Sequence, residues 1–528
     1  MTSGKDLPPK RTRESTSKVR TGCTTCKARR VKCDESKPAC RRCTVGGRKC
    51  EYTARGAPPP RNVITIYLPP TKSQPAFFVH DCGLDFFHQN IASMLDGQFD
   101  SRFWGHLVLQ LSHSEPSVRH AVSAMSIIHR DVESSMRQTA GYVEANPDAQ
   151  REWKTAVKSL SARIEAHPDS NLVPLVCCLL FTCIEFLRGN AESATLHARS
   201  GFNILASIHG KLDANQAHGI SSLDLEAIED CVVPMFSGLN VLCSLTGRII
   251  QSEWAASTPE DSPHKDLNDS RRRFIEILDA CVRLIREATP RAVRFQTLMD
   301  DLVEQRKLQI KLASWRARLD DLLQRMEASG TPAKQDKLSL LLIQYKVAYI
   351  WIQVCTAPAE TATDAYRADF EELVDHAEKV VKSAAKSSAP QPLSFEIHTM
   401  GPLYYAALKC RYPATRRRAL AMLKLAPWRE GFWNAHHAYA TAKRVIELEE
   451  SKLNEQGLPD ETSRVHGLPL PDDESRVYRM GEVPLDFESS GHSIVPSPAY
   501  PGTLAAIFHM KPWGMLGEWH IYTEYIEL

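Results

Sequence analysis

Six cysteines at 23, 26, 33, 40, 43 and 50 constrain this chain more than anything else in it, because they write one phrase twice. Cys-x2-Cys-x6-Cys begins at Cys23 and again at Cys40, each ligand position displaced by 17 residues, and Lys32 recurs as Lys49 before each closing cysteine. A Cys-x2-Cys pair places two sulfurs on one turn of backbone, and zinc takes four tetrahedral ligands for which thiolates are well suited. Six thiolates cannot fill eight positions around two separate ions, so a two-metal cluster needs two bridging sulfurs. The repeat marks its two leading members, Cys23 and Cys40, as the bridges. One zinc then holds Cys23, Cys26, Cys33 and Cys40, and the other holds Cys40, Cys43, Cys50 and Cys23.

A three-disulfide framework is the other use for six closely spaced cysteines. Against it, the N-terminal MTSGKDLPPKRTRESTSK is polar and basic with no apolar segment, which gives no sign of export to an oxidising compartment. The remaining nine cysteines are scattered, mostly in apolar stretches, and read as buried reduced thiols.

Charge says what the cluster faces. Residues 1–55 carry 16 Lys and Arg against 5 acids, a balance of +11, while the whole chain is only +2, which leaves −9 for the rest. Two zinc ions and six thiolates subtract about two charges from the head, which stays strongly basic. A cationic head on an acidic body points to a polyanion as the partner of the head alone. Within the repeat, the first loop (Lys27, Arg29, Arg30, Lys32) is cationic, whereas the second has Gly46 and Gly47 where the first has Arg29 and Arg30. The first half is therefore the candidate reader, since an arginine fork pairs bidentately with guanine in the major groove.

The run Cys23-Thr-Thr-Cys26-Lys-Ala-Arg-Arg-Val-Lys-Cys33-Asp34, followed by Lys37-Pro38-Ala39-Cys40-Arg-Arg-Cys43 and a glycine-containing loop to Cys50, resembles the fungal binuclear zinc cluster transcription factors. The resemblance implies a two-zinc module that binds double-stranded DNA and reads CGG-type triplets through the short helix after the second cysteine. Arg29 and Arg30 fall where the family has its base-contacting pair, Pro38 falls at a loop proline often cis, and Lys27, Lys32, Arg41 and Arg42 become phosphate contacts. It also implies a nuclear protein that works with the RNA polymerase II transcription machinery or co-regulators, takes a small-molecule inducer, and serves primary or secondary metabolism. Lys10-Arg11-Thr12-Arg13 with Lys18 and Arg20 suits an import signal or an extra arm on the phosphates.

Organisation follows from composition. Residues 1–19 read as a basic disordered arm and 20–52 as the zinc module, whose apolar core is limited to Val31, Val45 and Tyr52. Residues 53–75 form a linker broken by Pro58, Pro59, Pro60, Pro69, Pro70 and Pro75, with no heptad repeat that would set dimerisation. Residues 76–450 carry amphipathic helical patterns and predict a large all-α regulatory domain with one core or two abutting ones. A helix start is expected at Ser114-Glu115-Pro116 and an αα-hairpin over 172–209 capped by Gly189, with further helices near 270–288, 294–327, 337–356, 364–385, 398–424 and 431–454. The apolar run Leu172–Leu187 is too short to span a bilayer, and no membrane partner is expected.

Residues 107–130, 179–190 and 428–438 resemble the regulatory region behind the cluster in some of these regulators. Residues 451–502, rich in Pro, Ser and acids, read as a flexible loop, and 503–528, with Trp513, Trp519, Tyr522 and Tyr525, as a segment that docks on the body or activates transcription. The other functional class is a metabolite-binding or enzymatic body tethered to nucleic acid. His113 with His120, Glu185, and His436 with His437 are its candidates, but no phosphate loop, nucleophile elbow or HExxH accompanies them. The expectation is a regulator with no catalytic residues. Whether it acts as a monomer or a dimer is open at this level.

Overall fold

The structure is a computed structural model. It describes residues 22–29, 31–50, 82–96, 99, 102–137, 146–213, 221–248, 262–331, 333–384, 393–395, 397–450, 470–481 and 503–527. The chain divides into two compact units, Met1–Val79 and His80–Leu528.

The larger unit is a body of helices around two cores. Three segments illustrate why these residues are helical. Pro147–Ala166 starts with Pro at its first position behind Asn146, whose side chain accepts the Asp148 N–H at 2.9 Å. Pro116–Arg137 likewise begins at the proline that follows Ser114 and Glu115. Leu172–Arg188 is buried over nearly its whole length and ends at Gly189, whose φ of 73° is the left-handed cap that glycine adopts without strain. The chain then reverses into Ala191–Asp213, completing the expected hairpin.

Close approach at the back of that hairpin needs a second glycine. A Cβ on Gly201 would lie 2.2 Å from Phe236 Cζ. Gly201→Ala is therefore expected to cost about 1–3 kcal/mol by overpacking, visible as a lowered denaturant midpoint.

The first core gathers Phe87, Trp104, Val122, Leu179, Phe186 and Phe236, and the second gathers Phe274, Trp315, Leu341, Phe370, Leu403 and Ala438. Helix Val233–Leu245 feeds both, Leu242 into the first and Val241 into the second. Two abutting cores with a shared helix resolve the alternatives that sequence left open. The stretch Ser222–Leu245 is long and apolar enough to cross a membrane by length and composition, but 61% of its most apolar window is buried inside the body.

Several expectations need correction. The span 398–424 is two helices, Met400–Lys409 and Pro413–Leu423, because Pro413 cannot continue the first and instead opens the second. At the other end of the first of these, a small sheet, β1 (Leu393–Ser394), β2 (Arg429–Glu430) and β3 (Trp433–Asn434), places Glu430 at the N-terminus of the Met400–Lys409 helix. Its carboxylate accepts the His398 and Met400 N–H groups at 2.8 Å each. Part of the expected loop 451–502 is ordered: β4 (Val477–Gly481) pairs with β5 (Thr503–Met510), which pairs with β6 (His520–Glu527).

This sheet rests on helix Ala435–Glu450, where Val445 and Ala440 meet Val477, Ala506, Phe508 and Ile526. Arg444 pairs with Glu524 at 3.0 Å, and Lys511 donates to the Val293 carbonyl at 2.7 Å. The C-terminal residues are thus strands lying on the body: β6 alternates sheltered and exposed positions, while β5 buries four residues in succession, Ala506–His509.

Candidate metal centre and nucleic-acid interface

The backbone of the smaller unit repeats as its sequence does. Helix α1 (Thr24–Ala28) and helix α2 (Arg41–Val45) are displaced by the same 17 residues as the cysteines. Lys27 N–H donates to the Cys23 carbonyl and Thr44 N–H to that of Cys40, both at 3.1 Å. Val31 N–H reaches the Cys26 carbonyl and Arg48 N–H that of Cys43, at 3.1 and 2.9 Å. The Cys23 and Cys40 N–H groups point at the sulfurs of Cys33 and Cys50, at 3.5 and 3.3 Å. Each half is one turn of helix whose loop folds back to bring its third sulfur to the first.

Two devices join the halves. Thr25 donates its hydroxyl to the Lys49 carbonyl at 2.8 Å. Asp34 accepts the Arg41 N–H at 3.0 Å and also binds the Ser36 hydroxyl, so the connecting loop caps α2. The Ser36 hydroxyl and then the Arg41 N–H hold the Asp34 carboxyl down at about 2. Lys37–Pro38 in this loop is cis. Gly22 admits the returning strand, since a Cβ there would sit 2.9 Å from that of Cys33.

The sulfurs converge. Cys23, Cys26, Cys40 and Cys43 are fully buried, Cys33 is 8% exposed, and Cys50 is half-buried. Cys23 and Cys40 sulfurs are 3.7 Å apart, Cys23 and Cys43 also 3.7 Å, and Cys26 and Cys40 3.6 Å. Thiolates at about 2.3 Å from a tetrahedral zinc stand about 3.8 Å from one another. Cys26 and Cys43 are 3.9 Å apart as well, so these four sulfurs stand at the spacing of ligands that share an ion, each close to two others. The spacing alone does not set Cys23 and Cys40 apart from Cys26 and Cys43. The residues fit a sulfur-held metal cluster.

The apolar core expected from sequence is smaller still. Val45 is 89% exposed, because α2 turns it outward, Val31 only packs against the sulfurs at the margin, and Tyr52 lies outside the described residues. The centre of this unit is sulfur. Elsewhere, the described cysteines from Cys177 to Cys410 are buried free thiols, and burial pushes Cys177, Cys178 and Cys243 up to about 12.

Around the sulfurs, Lys27, Arg29, Lys32, Arg41 and Arg42 are exposed, and among the described residues none of their side chains makes an ion pair. Arg30 lies outside the described residues, as does the basic arm. Lys27 is in the last turn of α1, with Arg29 as its cap. Arg41 and Arg42 open α2, where a helix favours acids over bases, so helix stability does not account for them. What these cations can satisfy is an external anion.

In the body, the catalytic candidates separate. His113 closes helix Leu109–Ser114 while His120 lies on the next helix and pairs with Glu152 at 2.7 Å. Glu185 is raised by burial and held by Arg188 at 2.9 Å. His436 and His437 sit in the first turn capped by Asn434, and burial holds the His437 imidazole down at about 4.

Residues 21–57 match the fungal Zn(2)-Cys(6) binuclear cluster domain, and residues 83–445 match the fungal specific transcription factor domain. The chain belongs to this family of fungal transcription regulators. The cluster domain takes two zinc ions, DNA is its partner, and the helical body is the regulatory domain of the family. The aspercryptin biosynthesis cluster-specific transcription regulator of Emericella nidulans is 24% identical over 72% of this chain and 67% of its own length. A transcription regulator of Purpureocillium lilacinum is 26% identical over 40% of this chain and 55% of its own. Sterol uptake control protein 2 of Saccharomyces cerevisiae is 61% identical over 7% of this chain and 4% of its own. The chain thus spans from about two thirds to much less of the length of these relatives. No solved structure matches it.

Proposed function

We propose that this regulator reads a CGG-like triplet in the major groove of nuclear DNA and controls transcription of metabolic genes by RNA polymerase II. One zinc is held by Cys23, Cys26, Cys33 and Cys40 and the other by Cys40, Cys43, Cys50 and Cys23. The ions act structurally, locking two helical turns that would otherwise have no core to pack on. Arg29 and Arg30 contact base edges, and Lys27, Lys32, Arg41 and Arg42 set the register on phosphates. Residues 20–52 are the reading module, 53–75 the linker, and 76–450 the body that answers to co-regulators or an inducer. The body is read as non-catalytic, because the candidates its sequence offers do not converge: His120 pairs with Glu152, Glu185 with Arg188, and His437 lies at a capped helix start.

The observation that carries the reading is the set of exposed cations, Lys27, Arg29, Lys32, Arg41 and Arg42, without acidic partners among the described residues, beside a buried sulfur centre. The metabolic part rests on the relative named for a biosynthesis cluster. Selection of bound duplexes from a random pool, using the zinc-loaded full chain, should recover CGG-containing sites. Recovery of unrelated sequences would overturn the triplet.

A finer result is expected from single substitutions. Arg30→Ala should cost about 1–3 kcal/mol on the matched site and relax triplet preference. Lys32→Ala should weaken matched and scrambled duplexes alike and lower the salt slope by about one. Equal loss on both duplexes for both variants would refute this division of labour.

A further inference from the structure

The two halves of the small unit repeat in backbone, but they are not fastened alike. Helix α1 carries Thr25 where α2, 17 residues on, carries Arg42. Thr25 sends its hydroxyl across to the Lys49 carbonyl at 2.8 Å, whereas α2 is held through the Arg41 N–H by the Asp34 carboxylate. The anchor for Thr25 is itself fixed on both sides. The Arg48 N–H donates to the Cys43 carbonyl at 2.9 Å, and the Cys50 sulfur accepts the Cys40 N–H at 3.3 Å. Thr25 thus ties the first helix to the closing segment of the second half.

The place of that tie on α1 gives it a consequence. The cluster fastens the helix at Cys23 and Cys26, and two points leave a rod free to roll about the line through them. At 3.6 residues per turn Thr25 stands about 100° round the helix from Cys26, so a tether there sets the roll. Arg29 lies four residues on, on the face that Thr25 shares, and its N–H donates to the Thr25 carbonyl at 3.3 Å. The roll that the hydroxyl sets is therefore the direction in which Arg29 leaves the helix. Helix formation does not account for the residue, since Thr is among the weaker helix formers.

We propose that Thr25 is a positioning residue for base reading: its bond to the Lys49 carbonyl aims Arg29, and the arginine after it, at the base edges. The inference rests on the reading of Arg29 and Arg30 as base contacts. A bidentate pair with guanine needs two N–H groups aligned with O6 and N7 at once, so a small rotation breaks it. A phosphate accepts a cation from many directions and carries no sequence information. Loss of the hydroxyl therefore shows in specificity, with non-specific affinity and zinc retention left in place.

Binding of the zinc-loaded full chain to a CGG-containing duplex and to a scrambled one tests this, in Thr25→Val, which keeps the shape and removes the donor, and in Thr25→Ser, which keeps the donor. Thr25→Val should lower the matched-to-scrambled affinity ratio about tenfold, the effect of one hydrogen bond, with scrambled affinity within about twofold of wild type. Native mass spectrometry should still find two zinc ions on that chain. Thr25→Ser should bring the ratio back to within about twofold of wild type. Matched and scrambled affinities that fall together in Thr25→Val overturn the proposal, as does a Thr25→Val chain that has lost its zinc, the hydroxyl being then a requirement of the fold. A wild type that does not prefer the CGG duplex overturns the reading of the base contacts and this inference with it, whereas a preference that survives undiminished in Thr25→Val overturns this inference alone.

Discussion

Removing the metal should unfold residues 20–52 and abolish DNA binding while the helical body keeps its circular dichroism. The reason is how little else holds the small unit. Its buried residues are the cysteines themselves, with Val45 in solvent and Val31 at the margin. A unit of about 40 residues buries too little apolar surface to fold unaided. Structural zinc contributes about 10–16 kcal/mol at neutral pH, so binding and folding are one event. Cys40→Ala should act as chelation does, because Cys40 belongs to both proposed ligand sets. Amide dispersion in a heteronuclear NMR spectrum would report the loss of this unit separately from the body. A chelated chain that still binds its duplex would refute the coupling.

Glu449→Ala should cost the body about 3–5 kcal/mol, the penalty for leaving a buried charge unpaired. Glu449, Arg411 and Arg416 have fully buried side chains. Arg411 grips the carboxylate with two nitrogens at 3.0 and 3.3 Å, Arg416 with a third, and the Val477 N–H joins at 2.9 Å. Without Glu449, the acidic partners left to the two buried guanidinium groups among the described residues are Glu360, 3.1 Å from Arg411, and Glu450, 3.5 Å from Arg416, beside neutral carbonyl and hydroxyl acceptors. The Val477 amide of β4 also loses its acceptor, so hydrogen exchange there should accelerate more than in the core helices.

The pH dependence follows. Burial pushes the Glu449 carboxyl up, but Arg411 and Arg416 outweigh it and hold the group at about 2. A carboxyl depressed below its unfolded value of about 4.3 contributes stability above that value and loses it as pH falls toward 2. The stability gap between wild type and Glu449→Ala should therefore be full at neutral pH and narrow between about pH 4 and 2. A gap that stays constant through that window would exclude the carboxylate as its source.

How much of this was legible depends on range. The cysteine spacing is local and periodic, so the sulfur centre and its internal repeat follow from the sequence, down to helices displaced by 17 residues. The hairpin at Gly189 was equally readable, because an apolar run, a glycine and a second periodic run are adjacent. The short helices before Ser114 escaped because their apolar periods are brief, and the helix Pro147–Ala166 escaped although Pro147 behind Asn146 marks its start. Asp34 carried no signal of its own; its role as cap depends on a loop that turns back on Arg41. The buried ion pairs were hidden for the same reason. Arg411 and Arg416 stand in a basic stretch that reads as solvated, and Glu449 sits in a run of acids 33 residues beyond Arg416, so only the packing of three helix ends brings them together. The sheet on helix Ala435–Glu450 was obscured because β4 and β5 are separated by residues 482–502 and pair across that gap.

Native mass spectrometry of the purified full chain, alone and with a CGG-containing duplex, tests the central claim most directly. The account predicts two zinc ions per chain and a complex that retains both. A chain that carries no zinc, or one that binds the duplex equally well with its zinc removed, would contradict it.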